Sequence, residues 1–456
     1  MVTRKQLDQE QDKRIRYILN LAYENNPHLH KLMNKANINP QKIRAGDGVK
    51  RLKEAYAKGL RTTGEDLIER RLFPKYIRSI YSTQLWTSGT SGRPKITLYS
   101  LDDIARSSEQ VSKFYNIVGI EEGIDGIVCI PAPFPFATAI MLSESCKLLN
   151  VPTATIMSPQ IMPHMTDDEI RFRLRPVYET IRNIGKKQII LAGTWGLEKL
   201  GHIFQRYGFD MAALNVKGLC YGAEPTTFTR RQKISKTWQP NLPNISYEVY
   251  ASSEGGAMAV ECTEHDNMHV SQPEIVLFTE KDGQPLEANE YGYDVITALP
   301  AIGAKPATFI INYSHKDITK VVAGECNCSM PQYIIEHPRR EIEQIRIAGC
   351  GLDARDLEPL FNTKPFTGEY LVIWEKPHDK NSNHKLTIRY ECSAQVADFD
   401  GSLKRQLAAS NPLAYDMLFT SGAVQVNCEW ALPGKNYSGF EQYVNPGKST
   451  RLITII

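Results

Sequence analysis

Apolar and polar residues follow different periods in successive parts of this chain. Residues 14–26 and 48–60 carry apolar residues three and four positions apart, which is the period of an amphipathic helix. Beyond them, short apolar runs typical of buried strands alternate with stretches of helical period. Strands are predicted at 82–86, 126–132, 152–157, 188–193 and 214–222, and helices at 102–116, 167–185 and 196–208. Strands that alternate with helices indicate a mainly parallel α/β sheet.

The second half of the chain has a different pattern, in which short β-like runs replace the alternation. These runs lie at 273–280, 292–299, 307–314 and 318–323. A highly charged stretch at 338–345 predicts a linker, and the residues after it mix short strands with helices. The pattern therefore predicts an α/β fold with a β-rich subdomain, in which 1–337 form a large N-terminal domain and 346–456 a small α+β domain.

Length, charge and cysteine content narrow the class of protein. The 456 residues exceed the roughly 250–300 at which one hydrophobic core stops growing, so at least two domains are expected. The 54 basic and 51 acidic residues nearly balance, which argues against a nucleic-acid or membrane-surface partner. No apolar run approaches the roughly 18–20 residues of a membrane span, and the charged N-terminus lacks the apolar stretch of a signal peptide. The cysteines are then expected to stay reduced in a cytoplasmic protein.

The stretch Thr-Ser-Gly-Thr-Ser-Gly-Arg-Pro-Lys at 87–95 predicts a phosphate-binding loop. Its glycines let the backbone approach an anion, successive amide groups can form a concave nest, and the lysine adds positive charge. The Lys-Ser/Thr pair of the common P-loop is absent, and the alternative is a flexible surface loop. The predicted phosphate contacts are Thr87, Ser88, Gly89, Thr90, Ser91, Gly92 and Lys95.

The order of residues in this loop resembles the signature phosphate loop of the adenylate-forming superfamily, which includes acyl-CoA synthetases, adenylation domains of non-ribosomal peptide synthetases and luciferases. All nine positions fit the pattern Ser/Thr-Ser/Thr-Gly-Thr-Ser/Thr-Gly-x-Pro-Lys. Further segments resemble later motifs in the family's order, at 221–225, 250–254, 313–317 and 446–448. The Gly-Ala-Glu-Pro sequence within 221–225 and the short N-terminal part are similar to the phenylacetate–CoA ligase-like branch.

The resemblance implies a role for each matching position. The ring of Tyr250 is implied to stack on adenine, Ser253 to meet the phosphate, and Glu254 to help hold Mg²⁺. Asp317 is implied to bind the ribose hydroxyls, and Lys448 to reach the substrate carboxylate and the α-phosphate. The segment implied to pack on adenine comprises Tyr221, Gly222, Ala223, Glu224 and Pro225.

Two segments depart from the family pattern. Residues 314–316, Ser-His-Lys, replace the usual Arg-Thr-Gly before Asp317. In the hinge, Arg340 is the best match to the ribose-contacting arginine, with Arg339 as the alternative. Looser matches are Glu341 or Glu343 as the hinge acid, and Gly349–Gly351 with Glu358 as the path of pantetheine. The resemblance therefore supports adenylation more strongly than transfer to CoA.

A cluster of thiols and a histidine predicts a zinc site. The candidate ligands are Cys262, His269, Cys326 and Cys328. Four nitrogen and sulfur ligands suit a closed tetrahedral site, so the zinc would be structural. Some proteins of the phenylacetate–CoA ligase-like branch have this arrangement in the same place. The alternative is a set of thiols without metal, and His265 is expected to be a solvated loop residue.

Together these features predict an enzyme that uses ATP and Mg²⁺ to convert a carboxylic acid into an acyl-adenylate and then passes the acyl group to CoA. The resemblance implies a mobile C-terminal domain and a homodimer. An aryl or arylacetic acid is expected, in a pocket between 131–136, Trp195 and Tyr221–Ala223. The alternatives are an amine, hydroxyl or carrier-protein thiol as acceptor, a non-catalytic nucleotide-binding homologue, or a scaffold protein without a nucleotide site.

Overall fold

A computed structural model of the protein describes most of the chain. The described residues are 2–86, 95–130, 147–148, 150–156, 165–222, 228–240, 245–328, 330–340, 344–347, 350–375, 384–421, 424–433, 435–436, 438–439 and 452–455. Among them, no helix is both long and apolar enough to cross a membrane.

Helices and strands alternate largely as the hydrophobic pattern predicts. The α-helices of the described part are α1 (Arg4–Asn25), α2 (Pro27–Lys35), α3 (Gly48–Ala57), α4 (Gly64–Ile68), α5 (Leu101–Val118), α6 (Asp167–Asn183), α7 (Thr194–Arg206), α8 (Phe228–Trp238), α9 (Ala354–Phe361), α10 (Phe399–Ser410) and α11 (Pro412–Tyr415). The strands are β1 (Ser82–Trp86), β2 (Ile96–Ser100), β3 (Gly126–Ile130), β4 (Thr153–Thr155), β5 (Gln188–Gly193), β6 (Val216–Gly222), β7 (Ser246–Ser252), β8 (Gly256–Glu261), β9 (Met268–Val270), β10 (Ile275–Lys281), β11 (Gln284–Pro285), β12 (Gly292–Ala298), β13 (Tyr313–Thr319), β14 (Val321–Val322), β15 (Ile334–Ile335), β16 (Arg339–Arg340), β17 (Gln344–Ile347), β18 (Cys350–Asp353), β19 (Phe366–Glu375), β20 (His384–Cys392), β21 (Val424–Ala431) and β22 (Leu452–Ile455).

A nine-stranded mixed sheet forms the centre of the N-terminal region, in the order β14-β15-β9-β8-β7-β6-β5-β3-β4. Strands β4, β3, β5, β6 and β7 run parallel, and the pairing from β7 to β14 is antiparallel. Side chains of β3 alternate between two cores: Ile127 packs with residues of α5, and Val128 with α6, α7 and α8. Helices thus cover both faces of the parallel part, and the predicted α/β class is confirmed.

Helix α5 is fixed at both ends. Ser100 Oγ accepts the amide N–H of Asp103 at 3.2 Å, and the Asp103 carboxylate accepts the amide N–H of Ser100 at 3.0 Å. This reciprocal capping box satisfies N–H groups that the helix leaves free. The helix ends at Gly119, whose φ of 70° is the left-handed conformation of a glycine C-cap. Asp103 also accepts the amide N–H of Ala307 at 2.8 Å, which ties α5 to the segment before β13.

A second sheet, in the order β11-β10-β12-β13-β16, shares its core with the N-terminal helices α1 to α3. The strand predicted at 307–314 is wrong up to Asn312, because β13 begins only at Tyr313. Asn312 has a left-handed φ of 48°, and its side-chain amide donates to the carbonyl oxygens of Leu52 at 3.0 Å and Leu60 at 3.1 Å. These contacts hold the segment against the helical region instead of in a sheet.

The C-terminal residues form a four-stranded sheet, in the order β21-β20-β19-β22, packed on α9, α10 and α11. The predicted linker begins with β16, which belongs to the N-terminal sheet, and its residues from Gln344 belong to β17, which pairs with β18. Arg230 of α8 lies 2.9 Å from Glu198 and 3.5 Å from Glu358 of α9. Glu358 is thus buried in an ion pair with the N-terminal region. The domain limits stay a prediction.

Candidate active site

The motif residues Ser253 and Glu254 lie in the turn that joins β7 to β8. The turn begins at Ser252, whose Oγ accepts the amide N–H groups of Glu254 at 3.2 Å and Gly255 at 2.9 Å. Two side chains of α5 donate to the carbonyl oxygen of Gly255, each at 3.1 Å: those of Arg106 and Gln110. Because both sides of the turn are held, Ser253 and Glu254 are only 6% and 4% exposed.

Glu254 provides the carboxylate at the centre of the site. Lys95 Nζ lies 3.2 Å from its Oε1, and the Tyr313 hydroxyl donates to the same oxygen at 3.0 Å. Ser253 Oγ donates to Oε2 at 3.2 Å. Burial alone opposes the charge, but the nearby ring of His315 and the ammonium group of Lys95 hold the pKa of Glu254 far below its usual range. Glu254 is therefore an ionised buried carboxylate.

Lys95 is aimed at Glu254 by its packing. Its Nζ donates to the Tyr313 hydroxyl at 3.1 Å as well as contacting the carboxylate. A Cβ atom added to Gly64, the first residue of α4, would lie 2.8 Å from Lys95 Cε. The lysine stem thus passes over a position without a side chain, and the helical N-terminal region supports the site.

Tyr250 and two aspartates form a second cluster of polar side chains. The Tyr250 hydroxyl lies 2.7 Å from Asp294 Oδ2 and 2.8 Å from Asp317 Oδ2. Asp294 Oδ1 accepts the amide N–H of Asp317 at 3.2 Å. Burial and the two carboxylates raise the pKa of Tyr250 well above its ordinary value, so the phenol stays protonated and acts as a donor.

His315 lies between these two groups. Its Nδ1 donates to Asp294 Oδ2 at 3.1 Å, and its Nε2 lies 2.9 Å from Ser252 Oγ and 3.6 Å from Glu254 Oε2. Burial alone lowers the pKa of this histidine, but the carboxylates of Asp294 and Glu254 outweigh it and raise the pKa to about 10. Near neutral pH the ring therefore carries a positive charge.

A bulge in β13 aims His315 and Asp317 at the same partner. Tyr293 pairs with Ile318 and Val295 pairs with Ser314, so residues 315–317 lie opposite Asp294 alone. Lys316, at the centre of the bulge, has a left-handed φ of 67°. This conformation is the one that glycine adopts most readily, and glycine is the usual family residue at this position.

The backbone places two further predicted residues, Arg340 and Gly222, next to the site. In the five-stranded sheet, Arg340 of β16 pairs with Asp317. At the end of β6, a Cβ atom on Gly222 would lie 2.5 Å from the carbonyl oxygen of Val249. Glycine is therefore required where β6 approaches β7, directly beside Tyr250.

The structure brings together the predicted residues Lys95, Tyr250, Ser253, Glu254 and Asp317. The following predicted positions lie outside the described residues: Thr87, Ser88, Gly89, Thr90, Ser91, Gly92, 131–136, Ala223, Glu224, Pro225, Glu341, Glu343, Gly349 and Lys448. The side chains of Trp195 and Arg340 are likewise outside the description. The roles of all these residues stay predictions.

Asp294 is the site residue that sequence analysis missed. It belongs to no motif, although it contacts Tyr250, His315 and Asp317 and is 0% exposed. The only signal for it in the sequence is an aspartate within the apolar run Gly292–Ala298. A buried charge in such a strand needs partners, and here it has three.

The predicted zinc ligands form one cluster at the end of the nine-stranded sheet. The donor atoms of Cys262, His269, Cys326 and Cys328 all lie within 4.8 Å of one another. Cys262 Sγ is 3.6 Å from Cys326 Sγ, and Cys328 Sγ is 3.2 Å from His269 Nε2. A disulfide needs sulfur atoms about 2.05 Å apart, so these thiols are unbonded.

The donor set of this cluster fits zinc. Ligands about 2.0–2.3 Å from a tetrahedral ion lie roughly 3.5 Å from one another, close to the observed spacings. Burial lowers the pKa of His269 and so favours the neutral imidazole that a metal needs. The prediction that His265 is solvated is wrong: its side chain is 14% exposed and lies 3.5 Å from buried Glu261.

The site also fits a magnesium ion bound together with phosphates. Mg²⁺ is usually held by one or two carboxylates while phosphate and water oxygens complete its shell. Glu254 supplies an ionised carboxylate, and Ser253 places a hydroxyl 3.2 Å from it. The ammonium group of Lys95, on the other carboxylate oxygen, suits a neighbouring polyphosphate.

Comparisons with known proteins give a distant relative and structural neighbours. No family model matches the sequence. The phenylacetate–coenzyme A ligase of Escherichia coli (strain K12) is 23% identical, in an alignment that covers 69% of this chain and 67% of that protein. The structure of 2-hydroxyisobutyryl-CoA ligase in the postadenylation state with 2-HIB-AMP has a TM-score of 0.74 at 14% identity, covering 98% of this chain and 89% of that chain. The same ligase with 2-HIB-AMP and CoA in the thioesterification state has a TM-score of 0.59 at 16% identity, with the same coverage. At such identities the structural likeness establishes the fold.

Proposed function

We propose that the chain belongs to the adenylate-forming superfamily, in its phenylacetate–CoA ligase-like branch, and that it activates a carboxylic acid with ATP and transfers the acyl group to coenzyme A. The observation that carries the proposal is the convergence of motif residues from distant parts of the chain. Lys95, Glu254 and Tyr313 meet at one carboxylate, and Tyr250 joins Asp317 beside it. A lysine suits the phosphates of a nucleoside triphosphate, and a carboxylate suits its Mg²⁺ ion.

The first half-reaction overcomes the poor reactivity of a carboxylate. An oxygen of the acid attacks the α-phosphorus of ATP, the bond between the α-phosphorus and the bridging oxygen breaks, and pyrophosphate leaves. The product is a mixed anhydride whose later leaving group is AMP. Little covalent chemistry falls to the protein, which contributes positioning and neutralisation of charge.

Each described residue has a part in that positioning. Lys95 would contact the phosphates, while Tyr250 and Asp317 would orient adenine and ribose. Bound at Glu254, Mg²⁺ would neutralise the charge on the triphosphate. The loop at 87–92 and Lys448 would complete the contacts to the phosphates and the acid.

The second half-reaction transfers the acyl group. The sulfur of CoA attacks the carbonyl carbon of the acyl-adenylate, the carbon–sulfur bond forms, and the bond to the phosphate oxygen breaks. AMP leaves with the electron pair, and the thiol proton is released. An amine, a hydroxyl or a carrier-protein thiol could attack the same carbon, so the acceptor needs its own test.

We propose an aryl or arylacetic acid as the substrate class. The E. coli relative is named a phenylacetate–coenzyme A ligase, which supports this class. Of the positions expected to line the pocket, Tyr221 and Gly222 lie within the described residues, at the end of β6. The Tyr221 side chain is 1% exposed and packs in the hydrophobic core beside β6, so it supports the expected pocket from behind instead of lining it. The other aromatic positions expected there, at 131–136 and 195, stay predictions.

We also propose that the cluster of Cys262, His269, Cys326 and Cys328 holds a structural zinc ion. It joins the turns around β8, β9 and β15, and all four positions are protein ligands, which leaves no open site for catalysis. Elemental analysis of purified protein should give about one zinc per chain. Metal-free protein with full activity and stability would contradict the proposal.

We propose a cytoplasmic location, the compartment in which thiols such as those expected in this cluster stay reduced. We retain the homodimer as a proposal from family membership, and light scattering after gel filtration would test it. A mass of one chain, 51.5 kDa, would refute it.

The test of the proposed function is acid-dependent exchange of labelled pyrophosphate into ATP with Mg²⁺. The panel should contain aryl, arylacetic, fatty and amino acids. Exchange with an aryl or arylacetic acid, followed by AMP release that requires CoA, is the expected result. AMP release with amines but without CoA would favour another acceptor. ATP binding with no exchange across the panel would favour a non-catalytic homologue.

A further inference from the structure

The candidate site has two halves that would face different parts of the nucleotide, if the proposed function holds. Glu254 and Lys95 form the half that would face Mg²⁺ and the phosphates. Tyr250, Asp294 and Asp317 form the half that would face the nucleoside. Adenylation needs both halves in a fixed relative position, because misplacement by about 1 Å can cost about 100-fold in rate.

One side chain of the described residues contacts both halves. His315 donates from Nδ1 to Asp294 at 3.1 Å, and its Nε2 lies 2.9 Å from Ser252 Oγ and 3.6 Å from Glu254 Oε2. Ser252 is part of the same support, because its Oγ accepts the amide N–H of Glu254 at 3.2 Å. The imidazole therefore lies beside the carboxylate of Glu254 and reaches its backbone through Ser252.

Two aromatic rings fix the orientation of the imidazole. Tyr313 packs edge-on against it with ring centroids 5.0 Å apart, and Tyr250 does so at 6.4 Å. The hydroxyl of Tyr313 donates to Glu254, and that of Tyr250 contacts Asp294 and Asp317. With the His315 side chain only 7% exposed, the ring has little room to turn away from either half.

We propose that His315 is a positioning residue for adenylation, which holds Glu254 in fixed geometry with Asp294 and Asp317. The threonine usual at this position in the family has one hydroxyl, a single bond beyond Cβ, and cannot contact both halves. The departure at 314–316 therefore adds a bridge to the site instead of removing a function. Asp294, opposite the β13 bulge, is the partner that makes the bridge possible.

Amide variants separate the two ends of the imidazole. In His315→Asn the amide nitrogen can take the place of Nδ1 and keep the contact with Asp294. In His315→Gln it can take the place of Nε2 and keep the contact with Ser252 and Glu254. His337→Asn is the matched control, because His337 is also a largely buried histidine paired with a carboxylate, Glu248 at 3.0 Å.

The measurement is nucleotide binding by calorimetry, which needs no turnover. AMP, ATP with a chelator, and ATP with Mg²⁺ are titrated into each variant. His315→Asn should reduce the Mg²⁺-dependent gain in ATP affinity by about 10–100-fold, the usual effect of losing a partner that orients a metal ligand. AMP binding should change by less than about threefold, and His315→Gln should recover most of the gain.

A double variant decides whether His315 acts through Glu254. Glu254→Gln alone should remove the Mg²⁺-dependent gain, and His315→Asn added to it should remove nothing more, since residues that act together are not additive. The proposal is overturned if His315→Asn and His315→Gln both keep the gain. It is also overturned if both weaken AMP and ATP equally and lower the melting temperature, because that pattern describes a structural residue.

A failure of the His315 proposal can be told apart from a failure of the proposed ligase activity. Wild-type protein that gains ATP affinity with Mg²⁺ but exchanges no pyrophosphate would refute the ligase activity, while the variants would still decide the role of His315. Wild-type protein that binds no nucleotide would refute both.

Discussion

Replacing Gly222 with alanine should disturb the end of the sheet that carries the proposed nucleotide-binding residues. A Cβ atom there would lie 2.5 Å from the carbonyl oxygen of Val249, whereas ordinary contact begins at 3.4 Å. The contact is with backbone, so no side-chain rotation relieves it. Strands β6 and β7 must separate by roughly 1 Å, the difference between those two distances, and Tyr250 must move with its neighbour.

The size of the effect follows from that displacement. Overpacking in a well-packed interior costs about 1–3 kcal/mol, which should appear as a loss in the free energy of unfolding. A shift of about 1 Å in Tyr250 should weaken nucleotide binding and lower pyrophosphate exchange by up to about 100-fold. Denaturant unfolding without nucleotide and calorimetric titration of AMP measure the two effects separately.

Gly193→Ala is the matched control, because Gly193 is the register partner of Gly222 on β5. A Cβ atom there meets nothing within 4 Å, and the residue has a φ of −67°, which alanine adopts readily. Alanine at this N-cap position of α7 costs roughly 0.5–1 kcal/mol, and the smaller entropy of the unfolded chain offsets about the same amount. If Gly222→Ala proves as stable as Gly193→Ala and binds AMP equally well, the close approach of β6 and β7 is not a constraint.

Three further outcomes are expected. Lys448→Ala should lower pyrophosphate exchange by roughly 10²–10³-fold while ATP binding by calorimetry persists, and an unchanged rate would contradict a transition-state role. Cys328→Ser should lower both the zinc content by elemental analysis and the melting temperature, whereas exposed Cys428→Ser should change neither. Burial lowers the pKa of His337, but the Glu248 carboxylate raises it above its ordinary value. The stabilisation is then complete below about pH 6.5 and is lost as the pH rises, so the difference in unfolding free energy between wild type and His337→Gln should shrink from about pH 6 to about pH 9. A difference that grows over this range would refute that sign.

The features that sequence predicted well are local in the chain. Period and composition identified four of the five parallel strands of the nine-stranded sheet, β3 to β6, because a buried parallel strand is a short continuous apolar run such as 188–193. The family resemblance rests on contiguous motifs, and the 23% identical relative and the fold of the structural neighbours agree with it. The zinc ligands were also found by residue type and spacing, and the four atoms do converge, although the ion itself remains a proposal.

The features that could not be predicted from the sequence depend on how strands pair with one another. Nothing in the local sequence shows that residues 315–317 lie opposite a single residue of β12, since a bulge follows from how two strands pair and not from either strand alone. Asp294 could not be assigned to the site without that register. Asn312 is similar: the run 307–314 has the composition of a strand, yet contacts with Leu52 and Leu60, far away in sequence, hold it in another conformation.

The departure from the family motif at 314–316 is therefore interpreted differently once the fold is known. From sequence, Ser-His-Lys in place of Arg-Thr-Gly weakened the match at 314–316. In the fold, Lys316 keeps the left-handed conformation natural to glycine, and His315 fills the space between Asp294 and Glu254 with a group that contacts both. The three buried carboxylates depend on their partners, because losing one partner would leave an unpaired buried charge that destabilises the fold by several kcal/mol. The partners Lys95, Tyr250 and His315 lie in the segments that resemble the family's nucleotide-binding motifs, which favours an active adenylating enzyme over a degenerate homologue.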